Sequence, residues 1–320
     1  MSSDPNAKPV RAAVIGVGYL GRFHAQKYAS LPAVDLIGVV DISETTAKSV
    51  AQELGTDFFT DYHQLLDKVD AVSIVVPTQK HFETAMEFLG RGVHVLLEKP
   101  MTTTVAEAEQ LNKIAQAQKV VLQIGHLERF NPAILALADE LQNPLFIESH
   151  RVAPFNPRGA DVNVVLDLMI HDIDIILDIV KSPLTSIDVS GVPVLSNDID
   201  IANARLRFAS GCVANVTASR AGMKTERKMR VFQHDAYLTV DFQNKSLGVH
   251  RKGENATQAG IPEIISDTRV FEAGDALKAE IISFVDVIRN HSQPIVSGED
   301  GLRALDAAIK ITKLLENASI

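Results

Sequence analysis

Between Val10 and Ile124 the chain alternates short runs of β-branched and aliphatic residues with longer stretches of helical periodicity, and few architectures accommodate that rhythm. The runs are VRAAVI, DLIGVV, AVSIVV, HVLL and VVLQI, and helices are predicted to begin near Tyr19, Glu44, Tyr62, Gln79 and Thr104. Runs apolar at odd and even positions alike are buried on both faces. That is the condition of a parallel sheet covered by helices, and strand–helix–strand alternation supplies the cover. Residues 1–125 therefore read as an α/β domain on a parallel sheet.

After Gly125 the rhythm changes. A helix is predicted at Asn131-Pro132 and another from about Ala160 to Val180. The strand-like segments SIDVSGVPVL, DIANARLRF, CVANVTASR, KMRVFQ, AYLTVDF and KSLGVH follow, separated by short turns. Such succession favours an antiparallel sheet. Two amphipathic helices, Leu277 to Arg289 and Gly301 to Asn317, close the chain. Residues 126–320 are thus expected to form an α+β domain on a mainly antiparallel sheet with one face open. An open face calls for a partner, and a homodimer or homotetramer is expected.

Composition narrows the class. A formal charge of −9 and a pI near 5.6 argue against a nucleic-acid binder, whose surface is basic. The one cysteine, Cys212, permits no internal disulfide and fits a reducing cytoplasm. The opening MSSDPNAKPVR lacks the apolar core of a secretory signal. The longest apolar stretch, Val164 to Val180, is interrupted by Asp167, His171, Asp172, Asp174 and Asp178, so no membrane span is expected. The chain reads as a soluble cytoplasmic protein with a small-molecule substrate and no bound metal.

The sharpest local motif is AAVIGVGYLGRFHA, in which Gly16, Gly18 and Gly21 form GxGxxG between a strand and a helix. Gly16 permits the tight turn, Gly18 lets a pyrophosphate approach the backbone, and Gly21 lets helix and strand pack closely. Tyr19 and Leu20, between the last two glycines, open the helix whose free N–H groups would meet the pyrophosphate. About twenty residues beyond Gly21 the second run ends in Asp41, where a carboxylate would accept hydrogen bonds from a ribose diol and repel a 2′-phosphate. Ile42 follows, with no adjacent arginine, so NAD is favoured over NADP. The first domain reads as a Rossmann dinucleotide-binding domain.

Two further places carry chemistry. Lys99, in Glu98-Lys99-Pro100, follows the run HVLL, and ligands of open parallel sheets lie beyond the carboxyl ends of strands. It either points into that crevice or is a surface lysine ahead of a proline. In VVLDLMIHDIDIIL, Asp167, His171 and Asp174 stand at helical spacing on one face of an otherwise apolar segment. An imidazole there either takes a hydroxyl proton while hydride leaves the same carbon, or is a core histidine satisfied by a carboxylate.

At these motifs the chain resembles the glucose–fructose oxidoreductase, inositol dehydrogenase and MocA (Gfo/Idh/MocA) family, and the resemblance runs over nearly its whole length. It implies that Lys99 of the EKP motif touches substrate and nicotinamide, with Glu98 beside the cofactor. It implies that Asp167 and His171, matching the family's D-x-x-x-H pattern, are catalytic and substrate-binding. It implies too that VPTQKHFE, with Pro77, Thr78 and His81, forms the nicotinamide-side turn. GHLERFNP and HRVAPFNPRGADVNVVLDLMIHDIDI resemble most the branch acting at C3 of UDP-linked N-acetylated hexoses, the UDP-N-acetylglucosamine 3-dehydrogenases. On that reading Arg129, Asn131, Arg158 and Arg220 contact the nucleotide or sugar. The basic cluster Lys224, Arg227, Lys228 and Arg230 reads as a solvated strand face. A dehydrogenase of a free polyol such as an inositol, and a non-catalytic NAD sensor on the same fold, are the alternatives.

Overall fold

The computed structural model describes residues 8–156, 163–256, 260, 262–272 and 274–318. The chain forms two compact units. One comprises residues 1–127 with 275–302, the other 128–274 with 303–320.

The first unit holds the predicted parallel sheet. In chain order its elements are β1 (Val10–Ile15), α1 (Tyr19–Ala29), β2 (Val34–Val40), α2 (Glu44–Leu54), β3 (Asp57–Phe59), β4 (Ala71–Ile74), α3 (His81–Gly90), β5 (His94–Glu98), α4 (Val105–Gln118) and β6 (Leu122–Gly125). The six strands lie in the order β3-β2-β1-β4-β5-β6, every pair parallel. β1 and β4 are flanked on both sides by strands and covered on both faces, which is why their side chains are almost wholly buried. Local signals set the helix ends. Thr104 and Glu107 close a capping box on α4, Ser43 caps α2, and Gly55 ends α2 in the left-handed region. The helix expected near Tyr62 is a single 3₁₀ turn, Tyr62–Leu65, capped by Asp61; β4 begins at Ala71 and leaves no room for more.

The second unit begins with α5 (Pro132–Leu137), capped by Asn131. β7 (Phe146–Val152) follows, then a π-turn (Val165–Met169) running into α6 (Ile170–Val180). The remaining strands are β8 (Leu184–Val192), β9 (Ile201–Phe208), β10 (Val213–Ser219), β11 (Glu226–Gln233), β12 (Ala236–Asp241), β13 (Ser246–Ala256) and β14 (Pro262–Val270). Their order is β14-β13-β12-β11-β7-β10-β9-β8, antiparallel except for the β7–β10 pair. β7, central to this sheet, escaped the sequence analysis because Glu148, Ser149, His150 and Arg151 interrupt its apolar pattern; Ile147, Ser149 and Arg151 face inward.

Two helices end the chain, α7 (Ala276–Asn290) and α8 (Gly298–Ala318). The sequence analysis placed all of residues 126–320 in one domain. In the structure α7 instead packs into the first unit, because Ile281, Phe284, Val285 and Ile288 share a core with Val14, Ala25, Tyr28 and Leu96. Later residues of α8, among them Ala304, Ala308 and Ile311, join Ile173, Ile176, Ala204, Val216 and Leu238 in the core of the second unit. Among the described residues, no helix is long and apolar enough to cross a membrane.

Candidate active site

The glycine turn meets each steric requirement read from its sequence. Gly16 has φ +86°, and a Cβ there would lie 2.7 Å from the Val75 carbonyl oxygen. A Cβ on Gly21 would collide with the Gly16 carbonyl oxygen, so α1 and the turn approach as closely as backbone permits. At Gly18 no atom lies within 4 Å of the Cβ position, which leaves that backbone open to a ligand. Gly18 also caps α1 without a side-chain bond, and the first turn of this 11-residue helix carries no acidic residue. Its N–H groups and helix dipole are thus available to a pyrophosphate.

Asp41 follows β2 directly. Its Oδ2 accepts the main-chain N–H of Val17 (3.1 Å) and its Oδ1 that of Ser43 (2.9 Å). It lines a cavity of about 770 Å³ with Gly16, Gly18, Ile42, Val76 and Pro77. A cleft at the carboxyl ends of β1, β2 and β4, with an open glycine turn on one wall and a carboxylate on another, fits a dinucleotide. Tyr19 is largely exposed and Leu20 partly so at the start of α1, and Thr78 lies in the short 3₁₀ turn Thr78–Lys80.

Two residues expected to touch the cofactor have partners within the frame. His81 is 1% exposed, with Nδ1 3.0 Å from the Pro100 carbonyl oxygen and Nε2 2.9 Å from that of Val76. Burial pushes its imidazole below the ordinary range, so the ring is neutral and donates to one carbonyl at a time. It ties the turn after β4 to the turn after β5. Glu98 sets Oε1 3.1 Å from His24 Nε2 and accepts the Lys99 main-chain N–H through Oε2 (3.2 Å). Burial pushes the Glu98 carboxyl up, but the bond from His24 and the charges of His24 and Lys99 outweigh it and hold the group below its usual value. Glu98 is therefore an anionic strut for Lys99, which is half-buried in the turn that closes β5. Sequence reasoning missed His24, whose spacing on α1, three residues beyond the buried Gly21, was its available signal.

In the second unit Asp167 lies within the π-turn and His171 in the first turn of α6. Asn163 anchors the start, accepting the Leu166 N–H through Oδ1 (2.9 Å). Both Asp167 and His171 are half-buried. His171 and Asp174 keep helical spacing within α6, whereas the π-turn at Val165–Met169 changes how Asp167 lines up with them. Asp174 is buried and lies 3.9 Å from Arg129. The carboxylate that the sequence analysis passed over is Asp172. It is 1% exposed and bound by Arg151 Nε at 2.7 Å, while Arg151 also donates to Glu128 at 2.9 Å.

Three of the expected substrate contacts have structural partners that account for them. Arg129 is buried and paired with Asp178 at 3.0 Å. Asn131 caps α5 by accepting the Ala133 N–H, and its Nδ2 donates to the Phe242 carbonyl (3.1 Å). Arg220 donates to Asp200 at 2.8 Å, both groups being buried. The reason is common to all three: a buried polar side chain is stable only when paired, and pairing uses its donors. Arg158 lies outside the described residues. In the basic cluster, Arg227 and Arg230 are exposed and pair with Glu128 and Glu148 at 3.5 Å each.

A six-stranded parallel sheet in this order, a glycine turn open to phosphate, and an acid after the second strand define a dinucleotide-binding oxidoreductase domain. The chain belongs to the Gfo/Idh/MocA oxidoreductase family. Residues 10–126 match the "oxidoreductase family, NAD-binding Rossmann fold" profile, and residues 147–239 match the GFO/IDH/MocA C-terminal domain. A UDP-N-acetylglucosamine 3-dehydrogenase from Acidithiobacillus ferrooxidans is 41% identical over 308 residues, 96% of this chain and 97% of that protein. The solved structure of UDP-N-acetylglucosamine 3-dehydrogenase GnnA from the same organism aligns with a TM-score of 0.92 at 40% identity, covering 97% of this chain and 99% of that one. More distantly, the scyllo-inositol 2-dehydrogenase (NAD(+)) of Bacillus subtilis is 28% identical over 335 residues, 96% of this chain and 94% of that protein. The protein is an NAD-dependent oxidoreductase.

Proposed function

We propose that the protein oxidises the C3 hydroxyl of a UDP-linked N-acetylated hexose, UDP-N-acetylglucosamine first. The observation that carries this reading is the 41% identity, over 96% of the chain, to an enzyme of that activity. NAD, when bound, supplies the hydride acceptor. His171 takes the hydroxyl proton as general base, and Asp167, one helical turn before it, favours the imidazolium that results. The Lys99 ammonium stabilises negative charge growing on the sugar oxygen. C–H and O–H bonds break together, giving a 3-keto sugar, reduced nicotinamide and one proton held by His171.

The assembly proposed is a homo-oligomer formed through the sheet face that the helices of the second unit do not cover. Phe146, Phe232, Tyr237 and His250 line up across β7, β11, β12 and β13 on that face, the first pair tilted and the other two stacked. We also place the protein in the cytoplasm, where Cys212, buried and with its thiol pushed up to about 11, stays reduced and unreactive.

The test is the rate of NAD reduction, followed by nicotinamide absorbance, with UDP-N-acetylglucosamine, free N-acetylglucosamine and myo-inositol. The UDP-sugar is expected to be oxidised fastest. Faster oxidation of either free compound would replace this reading with that of a free-sugar or polyol dehydrogenase.

A further inference from the structure

A groove of about 850 Å³ lies wholly within the second unit, between α8, the end of α6 and the start of β8. Its rim is charged. Along α8, Arg303, Asp306, Lys310 and Lys313 recur at helical spacing, so one stripe of the helix presents them all. Lys181 joins them from the left-handed residue that ends α6 (φ 47°). All four cations are exposed, and Asp306 is the one acid among the lining residues. It is already paired with Lys310 at 2.6 Å. Four positive groups thus face one negative group, on a chain whose formal charge is −9.

The floor is apolar. Leu177, Leu184 and Ile187 pack against the core of the second unit and stay only partly buried, while Leu314 is 39% exposed. The polar groups among them are engaged within the protein. Ser182 Oγ accepts the Ser210 N–H (2.9 Å), Thr185 Oγ1 donates to the Arg207 carbonyl (2.9 Å), and the Pro183 carbonyl accepts the Ala209 N–H (2.9 Å). The floor therefore offers a ligand apolar surface to bury, and the rim offers charged donors. A sugar or a nucleotide base would lose water there without replacing its hydrogen bonds. A bare ion would use the rim and leave the floor wet. Volume and lining both fall in the range of small-molecule sites, which combine apolar walls with a few charged groups.

We propose that this groove binds an amphipathic anion, an alkyl chain of medium length ending in one carboxylate. The chain lies along Leu177, Leu184, Ile187 and Leu314, and the carboxylate lies among Lys181, Arg303 and Lys313. This site is separate from the proposed reaction: Lys181 follows His171 by about 15 Å along α6, at 1.5 Å per residue. It is independent of which sugar the enzyme oxidises. Its occupant still touches, at Leu177, the helix that carries His171.

Isothermal titration calorimetry of the full chain with decanoate, 1-decanol and acetate tests chain and head separately. Decanoate should saturate one site per chain at sub-millimolar concentration. Each of the other two should bind at least about tenfold more weakly, the scale of one lost charge-assisted bond or of a few methylenes left in water. Affinity for decanoate should also fall as salt is raised. The double variant Lys181→Glu, Lys313→Glu, and separately Leu314→Asp, should each weaken decanoate by at least about tenfold. None of these three side chains belongs to the core, and an unchanged thermal midpoint shows that each variant is folded. Should either not fold, the wild type's ranking of the three compounds and its salt dependence decide alone. Failure of decanoate to bind overturns the proposal. So does acetate binding as tightly, which leaves an adventitious ion only. Binding that the lysine variant leaves unchanged puts decanoate elsewhere, and its release by saturating NAD puts it in the cofactor cleft; either result sinks the idea. Sedimentation velocity covers the remaining case. If decanoate fails to bind and the lysine variant dissociates an oligomer, the groove is covered by a second copy of the chain.

Discussion

The Asp41 carboxylate accepts the main-chain N–H of Val17 at 3.1 Å, joining the acid at the end of β2 to the middle of the glycine turn. The same side chain therefore fixes the shape of the pyrophosphate seat and presents a negative charge beside it. A ribose diol can donate to such a group, while a 2′-phosphate would be repelled.

Asp41→Ala should thus act twice. NAD binding is expected to weaken by about 10–100-fold, the scale of lost charge-assisted hydrogen bonds. NADP binding should change much less, so the preference for NAD narrows. Titrating both dinucleotides against wild type and variant checks this. Equal affinity of the wild type for the two would remove Asp41 as the selector.

His171 is expected to matter for chemistry and not for cofactor affinity, because the proposed NAD contacts lie in the first unit. His171→Ala should lower kcat by about 10²–10⁴-fold, the usual cost of losing a general base, with NAD binding nearly unchanged. Asp172, next in sequence, makes the contrast. Its carboxylate is bound by Arg151 and accepts the Ser149 hydroxyl (2.9 Å), so Asp172→Ala should reduce stability by about 3–5 kcal/mol. Steady-state rates and denaturant melts on the two variants separate the roles. Wild-type turnover in His171→Ala would send the search for the base to Lys99.

How far the sequence alone could see follows from these residues. Gly16, Gly18 and Gly21 were legible because each answers a steric demand within a few residues of itself. Asp41 was legible because the distance from the last glycine is set by one helix and one strand. His81 and Glu98 were legible as polar residues at the turns after β4 and β5, but not their protein partners, since a polar residue after a strand shows its position and not the carbonyl or imidazole that folds against it. The ion pairs of Arg129 and Arg220 were hidden for the same reason: their carboxylates lie 49 and 20 residues away in the chain.

Arg220 distinguishes the sequence reading from the structural one, and acid pH sharpens the test. Its Nε donates to Asp200 Oδ1 at 2.8 Å, while Asp200 Oδ2 also accepts the main-chain N–H groups of Val194 (2.8 Å), Leu195 and Ser196 (2.9 Å). Burial pushes the Asp200 carboxyl up, but the main-chain donors and Arg220 outweigh it and hold the group far below the usual carboxylate range. A carboxylate whose folded value is depressed stabilises the fold at pH above its unfolded value, about 3.9. That stability disappears as pH falls from there through the folded value. Removing Arg220 leaves a buried charge with its main-chain donors and the Ser196 hydroxyl (2.8 Å), so Arg220→Ala should cost about 3 kcal/mol at neutral pH, the lower end for a broken buried pair. The deficit should shrink as acid protonates Asp200 in wild type and variant alike. Urea melts between about pH 7 and pH 3 measure both quantities. If Arg220 were instead a substrate contact, the melts would superimpose and KM would rise at unchanged stability, and that outcome would return the residue to the binding site.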